Sequence, residues 1–319
     1  MSSSTSPLSS DSTSLVSDLR TALPSLEPPS EQHNPLPDLP LELQLEILKL
    51  ALPPPVAVHL VERRRMLKKL SLISRAWLQP CQDELWRIVP FDASEESGRA
   101  RFEGWLAGLE GGRRMPRGIS IHYPASSQAR DSLRELVLKP LRRDGGFSEL
   151  RLWRARRSGC ILECLDLSHL TSLAVCDLHC LDLGLLSLAS LTTLLVSNTN
   201  LLHERCDLSH FPQLTAFGVV NAIGSRSMAI FSKLPTSLRR VLLGSSTAVD
   251  SVGPATISKA AFAVLRAPLE ALTVVLPSAW PPIMISANRL KRECNARGTK
   301  LEIKQLKEGE EFWLELWEP

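Results

Sequence analysis

The feature that most constrains this chain is a short apolar frame, L-x-x-L-x-L, that returns through its C-terminal half. It reads Leu170/Leu173/Val175, Leu191/Leu194/Val196, Leu214/Phe217/Val219, Leu238/Val241/Leu243 and Leu269/Leu272/Val274. In each copy the last two apolar positions alternate with a third residue, the two-residue period of a strand. Successive copies begin 21 to 31 residues apart, enough for one strand and one return segment and too little for a separate domain. A unit of that length cannot bury its own apolar face, whereas stacked neighbours build one continuous core beneath a parallel sheet. Further strand-like pieces extend the series: Ile119 to Tyr123, Leu136 to Leu138, Leu150 to Leu152 and Leu301 to Ile303.

Self-similarity supports the same reading, because Asp166-Leu167-Ser168-His169 recurs as Asp207-Leu208-Ser209-His210, each time ahead of a predicted strand. The frame and its spacing resemble leucine-rich repeats, with one departure. The position that holds Asn or Cys in that family is Leu178, Thr199, Ala222 or Ser246 here, so the expected ladder of side-chain amides or thiols is missing. The fold class that follows is α/β: a short N-terminal helical module, then an irregular leucine-rich-repeat solenoid with a curved parallel sheet. Open ends of such a stack need caps. The helical module and Arg101 to Leu109 are expected to cover one end, and the tail with Phe312, Trp313, Leu316 and Trp317 the other.

Three segments follow from texture. Residues 1–34 are rich in Ser, Pro and Thr with scattered apolar residues, which reads as a disordered segment; a short amphipathic helix around Leu15 to Leu23 is the competing reading. Residues 35–92 form a helical module, and residues 93–319 the repeats and their C-terminal cap. Within the module, Leu39, Leu41, Leu43, Leu45 and Ile47 alternate, a strand-like period. Helix formers fill the segment, Asp38 and Pro40 suit a helix start, and Pro53-Pro54-Pro55 stops it, so a helix is expected. Leu43, Ile47 and Leu50 then share one face. Met66, Leu70, Ile73 and Trp77 form a second helical stripe ended by Pro80, and Gln82 to Ile88 a third short helix. Arg63 to Arg65 with Lys68 and Lys69 reads as a solvated face, with a nuclear localisation signal as the alternative.

These residues resemble an F-box. Leu39-Pro40-Leu41-Glu42-Leu43 followed by Ile47-Leu48 is similar to the opening "LPxEL...IL", Ser71 to Trp77 to the "SLVCRxW" helix, and Leu85-Trp86-Arg87 to the closing "LWR". The whole chain thus resembles an F-box protein with degenerate, fungal-type leucine-rich repeats. The resemblance implies docking onto a Skp-type adaptor, and through it onto a cullin and RING ubiquitin ligase. Carried over by position, Leu39, Pro40, Leu43, Ile47, Leu48, Leu72 and Trp77 form or support that interface. Two departures are the apparent insertion from Pro53 to Val61 and Ser74 at a position where the family often has Cys.

Composition narrows the classes. A net charge of +3 argues against a nucleic-acid binder. No apolar run approaches the roughly 20 residues of a membrane span. Seven cysteines, an odd number, and an N-terminus without a basic and apolar leader suggest a reducing address, cytoplasmic or nuclear. Cys160, Cys164, Cys176 and Cys180, with His169 and His179 among them, have spacings unusual for zinc and read as small core residues; no metal and no cofactor are expected. Ser, His and Asp within Asp166 to His169 are too close in sequence to form a relay, and their duplication marks an architectural turn. No catalytic residue is assigned. Arg130 to Arg157 carries nine basic against four acidic residues, and its Arg151, Arg154 and Arg156 are candidates for holding an acidic or phosphorylated protein target, with a solvated return face as the alternative. The expected function is a non-catalytic substrate receptor of an SCF-type ubiquitin ligase; the alternative is an interaction scaffold that does not direct ubiquitylation.

Overall fold

In a computed structural model the described residues are 39–53, 59–73, 75–92, 96–110, 116–122, 147–153, 167–178, 180–183, 188–202, 208–222, 225–246 and 253–307. The chain divides into two compact units, Met1–Gln44 and Leu45–Pro319. In the first, the Gln44 N–H donates to the Pro40 carbonyl at 3.1 Å and the Gln44 Nε2 donates to the Leu39 carbonyl at 2.6 Å. These bonds close the first turn of α1 (Leu41–Ala51), with Pro40 just ahead of it, where its missing N–H costs nothing.

In the second unit, the remaining turns of α1 are followed by α2 (Leu60–Leu70) and α3 (Arg75–Arg87). Leu48, Leu52, Leu67 and Cys81 form a small closed core, with Met66, Leu70, Trp77 and Leu85 packed against it. The sequence stripe from Met66 to Trp77 is not one helix. The Leu72 N–H bonds the Lys69 carbonyl and the Ile73 N–H the Leu70 carbonyl, each at 3.1 Å, a tightened last turn that ends α2. Pro80 does not stop a helix but lies inside α3. A proline there removes one backbone bond, a loss that packing of Trp77, Cys81 and Leu85 on the small core offsets.

The sheet begins earlier than the sequence suggested. β1 (Ile88–Asp92) follows α3 without a break, so part of the segment read as a helical module belongs to the sheet. Pro90 hid it, since proline demotes a candidate strand, and β1 is an edge strand where proline is tolerated. The others are β2 (Gly118–His122), β3 (Glu149–Trp153), β4 (Ser172–Cys176), β5 (Cys180–Asp182), β6 (Thr193–Ser197), β7 (Asn200–Leu202), β8 (Ala216–Val220), β9 (Arg240–Gly244), β10 (Ala271–Leu276) and β11 (Lys300–Gln305). Among the described residues, nine strands form one parallel sheet in the order β1-β2-β3-β4-β6-β8-β9-β10-β11, and β5 pairs with β7 in a second. The chain is therefore α/β with an all-parallel sheet. The strands expected around residues 119, 150, 173, 194, 217, 241, 272 and 301 are present; Leu136 to Leu138 lies outside the described residues.

Register explains the frame. The second positions of the strands align as Val89, Ile119, Leu150, Leu173, Leu194, Phe217, Val241, Leu272 and Leu301. These side chains and those two residues on face the main core. Truncating one of the fully buried leucines to Ala should cost about 2–5 kcal/mol. The leading leucine of each frame closes the turn before the strand, as in Leu170 N–H to Leu167 O at 2.9 Å and Leu191 N–H to Leu188 O at 3.1 Å.

Return segments cover the core face. α4 (Glu96–Glu110) sits on β1, with Phe91 and Phe102 ring centroids 4.4 Å apart and Trp105 5.0 Å from Phe91. α5 (Pro254–Val264) starts with proline in its first turn and buries Ile257, Ala260, Ala261 and Val264, one helical stripe. α6 (Ala287–Arg297) buries Leu290 and Cys294 and ends at Gly298, φ 71°. There the Thr299 N–H reaches the Cys294 carbonyl at 2.9 Å, a left-handed cap that glycine supplies without strain.

Candidate partner-binding surfaces

The first candidate surface is the helical segment. Leu39, Leu43 and Ile47 are exposed, and Leu50 and Leu72 are each 85 % exposed, with Ile73 close behind. Pro40 is also exposed. Leu48 is different: it is buried inside the small core, because on α1 it lies on the side opposite Leu50. Trp77 is half-buried against the same core. Of the residues assigned to adaptor binding, Leu48 and Trp77 therefore support the helices from within, and Leu39, Pro40, Leu43, Ile47 and Leu72 face solvent. The Ser71 to Ile73 stretch lies on the turn after α2, and Ser74 is outside the described residues.

The basic run on α2 is not a uniformly solvated face. Arg63 is buried, donating to the Pro53 carbonyl at 2.6 Å and to Glu84 at 2.8 Å. Arg64 donates to the Leu85 carbonyl at 2.7 Å, and burial lowers its pKa. Arg65, Lys68 and Lys69 remain exposed. The inward pair pins α2 to α3, a role that spacing alone did not separate from the surface positions.

The second candidate surface is the sheet face away from the main core. At its β2–β4 end lie His122, Arg151, Trp153 and Cys176, all half-buried, around the buried Ser120. Trp153 Nε1 donates to Ser120 Oγ at 3.1 Å, and Arg117 pairs with Glu149 at 2.8 Å. Of these, the Trp153 indole and the Arg151 guanidinium, both on β3, are residue types enriched where protein interfaces are anchored. Arg151 occupies the central position of β3 on this face, in register with Ser120 and Ala174. Arg154 and Arg156 lie outside the described residues.

A row of polar residues runs beside the sheet, one residue before Leu178, Thr199 and Ala222. Asp177, Asn198 and Asn221 all adopt positive φ, 47° to 55°, directly after β4, β6 and β8. Their N–H groups donate to the carbonyls that end the next strand, Ser197, Val220 and Gly244, at 3.0–3.1 Å. Asn221 Nδ2 donates to Asn198 Oδ1 at 2.8 Å, and Thr199 Oγ1 accepts from the Leu178 N–H at 3.2 Å. One side-chain amide contact, Asn198 to Asn221, thus stands one residue before Thr199 and Ala222. The frame pointed at Leu178 and Ala222, but the left-handed turn falls on the residue before, where Asn and Asp are tolerated. A second ladder enters the strands: Thr171, Thr192 and Thr215 Oγ1 each donate to the carbonyl of the equivalent preceding residue, at 2.9–3.0 Å.

Comparison of the chain with protein-family models, with curated proteins and with solved structures finds no match. Its chemistry therefore rests on its own residues. Among the described residues no group of three or more His, Cys, Asp or Glu could hold a metal. Cys176 is half-buried on β4 and His169 is exposed on a turn, while Cys160, Cys164 and His179 lie outside the described residues. The Leu167-to-Leu170 turn repeats as Leu208-to-Phe211, with the Phe211 N–H to Leu208 carbonyl at 3.1 Å. Both histidines, His169 and His210, face outward there. Among the described residues no helix is long and apolar enough to cross a membrane.

Proposed function

We propose that this protein is a substrate receptor of an SCF-type ubiquitin ligase, docking a Skp-type adaptor through an F-box-like helical segment and holding a protein target on a leucine-rich solenoid. The observation that carries the reading is the exposure of Leu43, Ile47 and Leu50 on α1 and of Leu72 and Ile73 on the turn after α2, beside short helices whose internal core is already closed. Large apolar side chains left in water beside a satisfied core mark a partner site. The sequential order of parallel neighbours and the 21- to 31-residue spacing of the frames support the solenoid. No chemistry of its own is assigned: tethering raises the effective concentration of a target beside the ligase. The target surface is the β2–β4 end of the sheet with the basic run of which Arg151 is a member, suited to an acidic or phosphorylated protein.

The test is copurification from cells of the full chain and of a Leu43→Asp, Ile47→Asp variant. Wild type should retain adaptor and cullin, and the variant should lose both at least tenfold while keeping its thermal midpoint. Wild type without adaptor would sink the proposal, and adaptor without cullin would reduce it to a scaffold. Reversing charge at Arg154 and Arg156 should weaken target capture at low salt.

A further inference from the structure

The sheet ends on β11, and among the described residues no strand lies beyond it. Two bonds fix which way its backbone groups turn. The Lys300 N–H donates to the Glu270 carbonyl at 2.8 Å and the Leu306 N–H to the Leu276 carbonyl at 2.9 Å, so residues 300, 302, 304 and 306 turn their amides towards β10. Alternate residues of a strand turn theirs the other way, which leaves the N–H and C=O groups of Leu301, Ile303 and Gln305 facing outward from the sheet. Burial stops at the same line. Leu272 and Val274 on β10 are 0 % exposed, whereas their register partners Leu301 and Ile303 are half-buried. The tail expected from the sequence to cap this end lies outside the described residues.

Edge lysines usually keep strands apart, and β11 has two, Lys300 and Lys304. Between them stands Glu302, exposed on the same face. Opposite charges facing one another across an antiparallel pair stabilise it and like charges do not, so the alternation Lys-x-Glu-x-Lys selects among the registers in which β11 can meet an inverted copy of itself. Centred on Glu302, the pairing sets Glu302 against Glu302 and Lys300 against Lys304. Centred on Leu301, it needs the Thr299 N–H, which is already given to the Cys294 carbonyl at 2.9 Å. Centred on Ile303, it sets Glu302 against Lys304 from both sides, Ile303 against Ile303 and Leu301 against Gln305, with every outward amide matched.

The surrounding charges set the strength. Inboard on the same face β10 contributes Ala271, Thr273 and Val275, without charge, and Arg239 and Arg240 each lie 3.9 Å from Glu270. On the core side α6 carries Arg289, Lys291, Arg292 and Arg297 against Glu293, and Lys307 follows the strand. These cations oppose close approach of two copies and keep the association weak.

We propose that two copies of this chain pair antiparallel through β11 about a two-fold axis at Ile303, joining their sheets edge to edge. The joint forms about six backbone hydrogen bonds and covers the half-buried Leu301 and Ile303. It is isologous, so it closes at a dimer. β1, with α3 beside it, lies at the opposite end of the sheet, which leaves the helical segment of each copy outside the interface.

The test is sedimentation of the full chain over about a hundredfold range of concentration. Wild type should move from one chain mass towards two. Glu302→Lys should stay monomeric over the same range, and Glu302→Lys combined with Lys304→Glu, which restores both pairs with the signs exchanged, should raise association at least tenfold again. Ile303→Pro, which removes an outward N–H on an edge strand where proline is tolerated, should also stay monomeric with an unchanged thermal midpoint. A monomeric wild type, a Glu302→Lys variant that dimerises as well as wild type, or a charge exchange that restores nothing would overturn the proposal. Hydrogen exchange of the wild type is a second readout, free of substitutions: the amides of Leu301, Ile303 and Gln305 should slow at least fivefold from the lowest to the highest concentration. No slowing, or protection independent of concentration as from the chain's own tail, would count against a second copy in the same way. Neither measurement involves the adaptor, so failure here and failure of the ligase reading are separable.

Discussion

The carboxamide of Asn221 holds the turn after β9 by accepting two hydrogen bonds at once, from the Ser246 N–H at 2.8 Å and from Ser245 Oγ at 2.9 Å. Its Nδ2 donates to Asn198 Oδ1 at 2.8 Å and to Ser246 Oγ at 2.6 Å, so the amide's full capacity is used. One side chain thereby joins three successive turns of the sheet. Asn221→Ala should destabilise by about 2–4 kcal/mol, combining an orphaned N–H with a left-handed residue that alanine adopts poorly. Asn221→Gly should lose less, because glycine accepts φ near 54° freely. Urea unfolding of the two variants checks this; equal losses would deny the backbone contribution.

Gly244 ends β9 against β10. A Cβ there would lie 2.7 Å from the Val275 Cβ and press on the Val275 carbonyl, inside a pair of strands held in register. Gly244→Ala should therefore destabilise by about 1–3 kcal/mol as an overpacked contact, although alanine is the better strand residue elsewhere. A variant as stable as wild type would show that β9 and β10 can part at no cost.

Arg63 and Glu84 should behave as a coupled pair. The buried guanidinium meets the carboxylate at 2.8 Å and also the Pro53 carbonyl, so removing Glu84 leaves a charge half-satisfied. A double-mutant cycle with Arg63→Met and Glu84→Gln should give a coupling of about 1–3 kcal/mol. Exposed Lys49 and Glu46, also at 2.8 Å, should couple by less than about 0.5 kcal/mol in the same measurement. Equal couplings would mean that the Arg63 site is wetter than its packing implies.

Much of the sheet was legible because its strands repeat one frame: where Leu173, Leu194 and Leu272 stand, a strand stands. What spacing could not carry is direction. Met66, Leu70, Ile73 and Trp77 keep helical intervals across a turn, since apolar periodicity does not register a break that hydrogen bonds impose. Arg63 and Arg65 are the same residue type two positions apart, yet one is buried against Glu84 and the other is exposed. Leu48 and Ile47 are neighbours on α1, and only packing decides which one points inward. The Asn198 and Asn221 ladder was one residue out of frame because the turn, not the strand, sets its place.

Cys294 gives the fold an alkaline limit that can be read from its thiol. It is fully buried on α6; burial raises its pKa, Glu293 adds to the rise and Arg297 opposes it. The native thiol thus holds its proton more tightly than the unfolded one, whose pKa is about 8.5. Below that value the contribution to stability is fully present. As pH rises through it the unfolded state sheds its proton first, and stability falls until the raised native value is passed. Thermal midpoints measured from pH 7.5 to 10.5 should decline more steeply in wild type than in Cys294→Ala, which lacks the titrating group and starts from lower stability because of the cavity it leaves. Cys81, whose thiol burial also raises, should add a slope of its own that remains in that variant. Parallel declines in the two proteins would remove Cys294 from the account and leave the alkaline loss to surface charge.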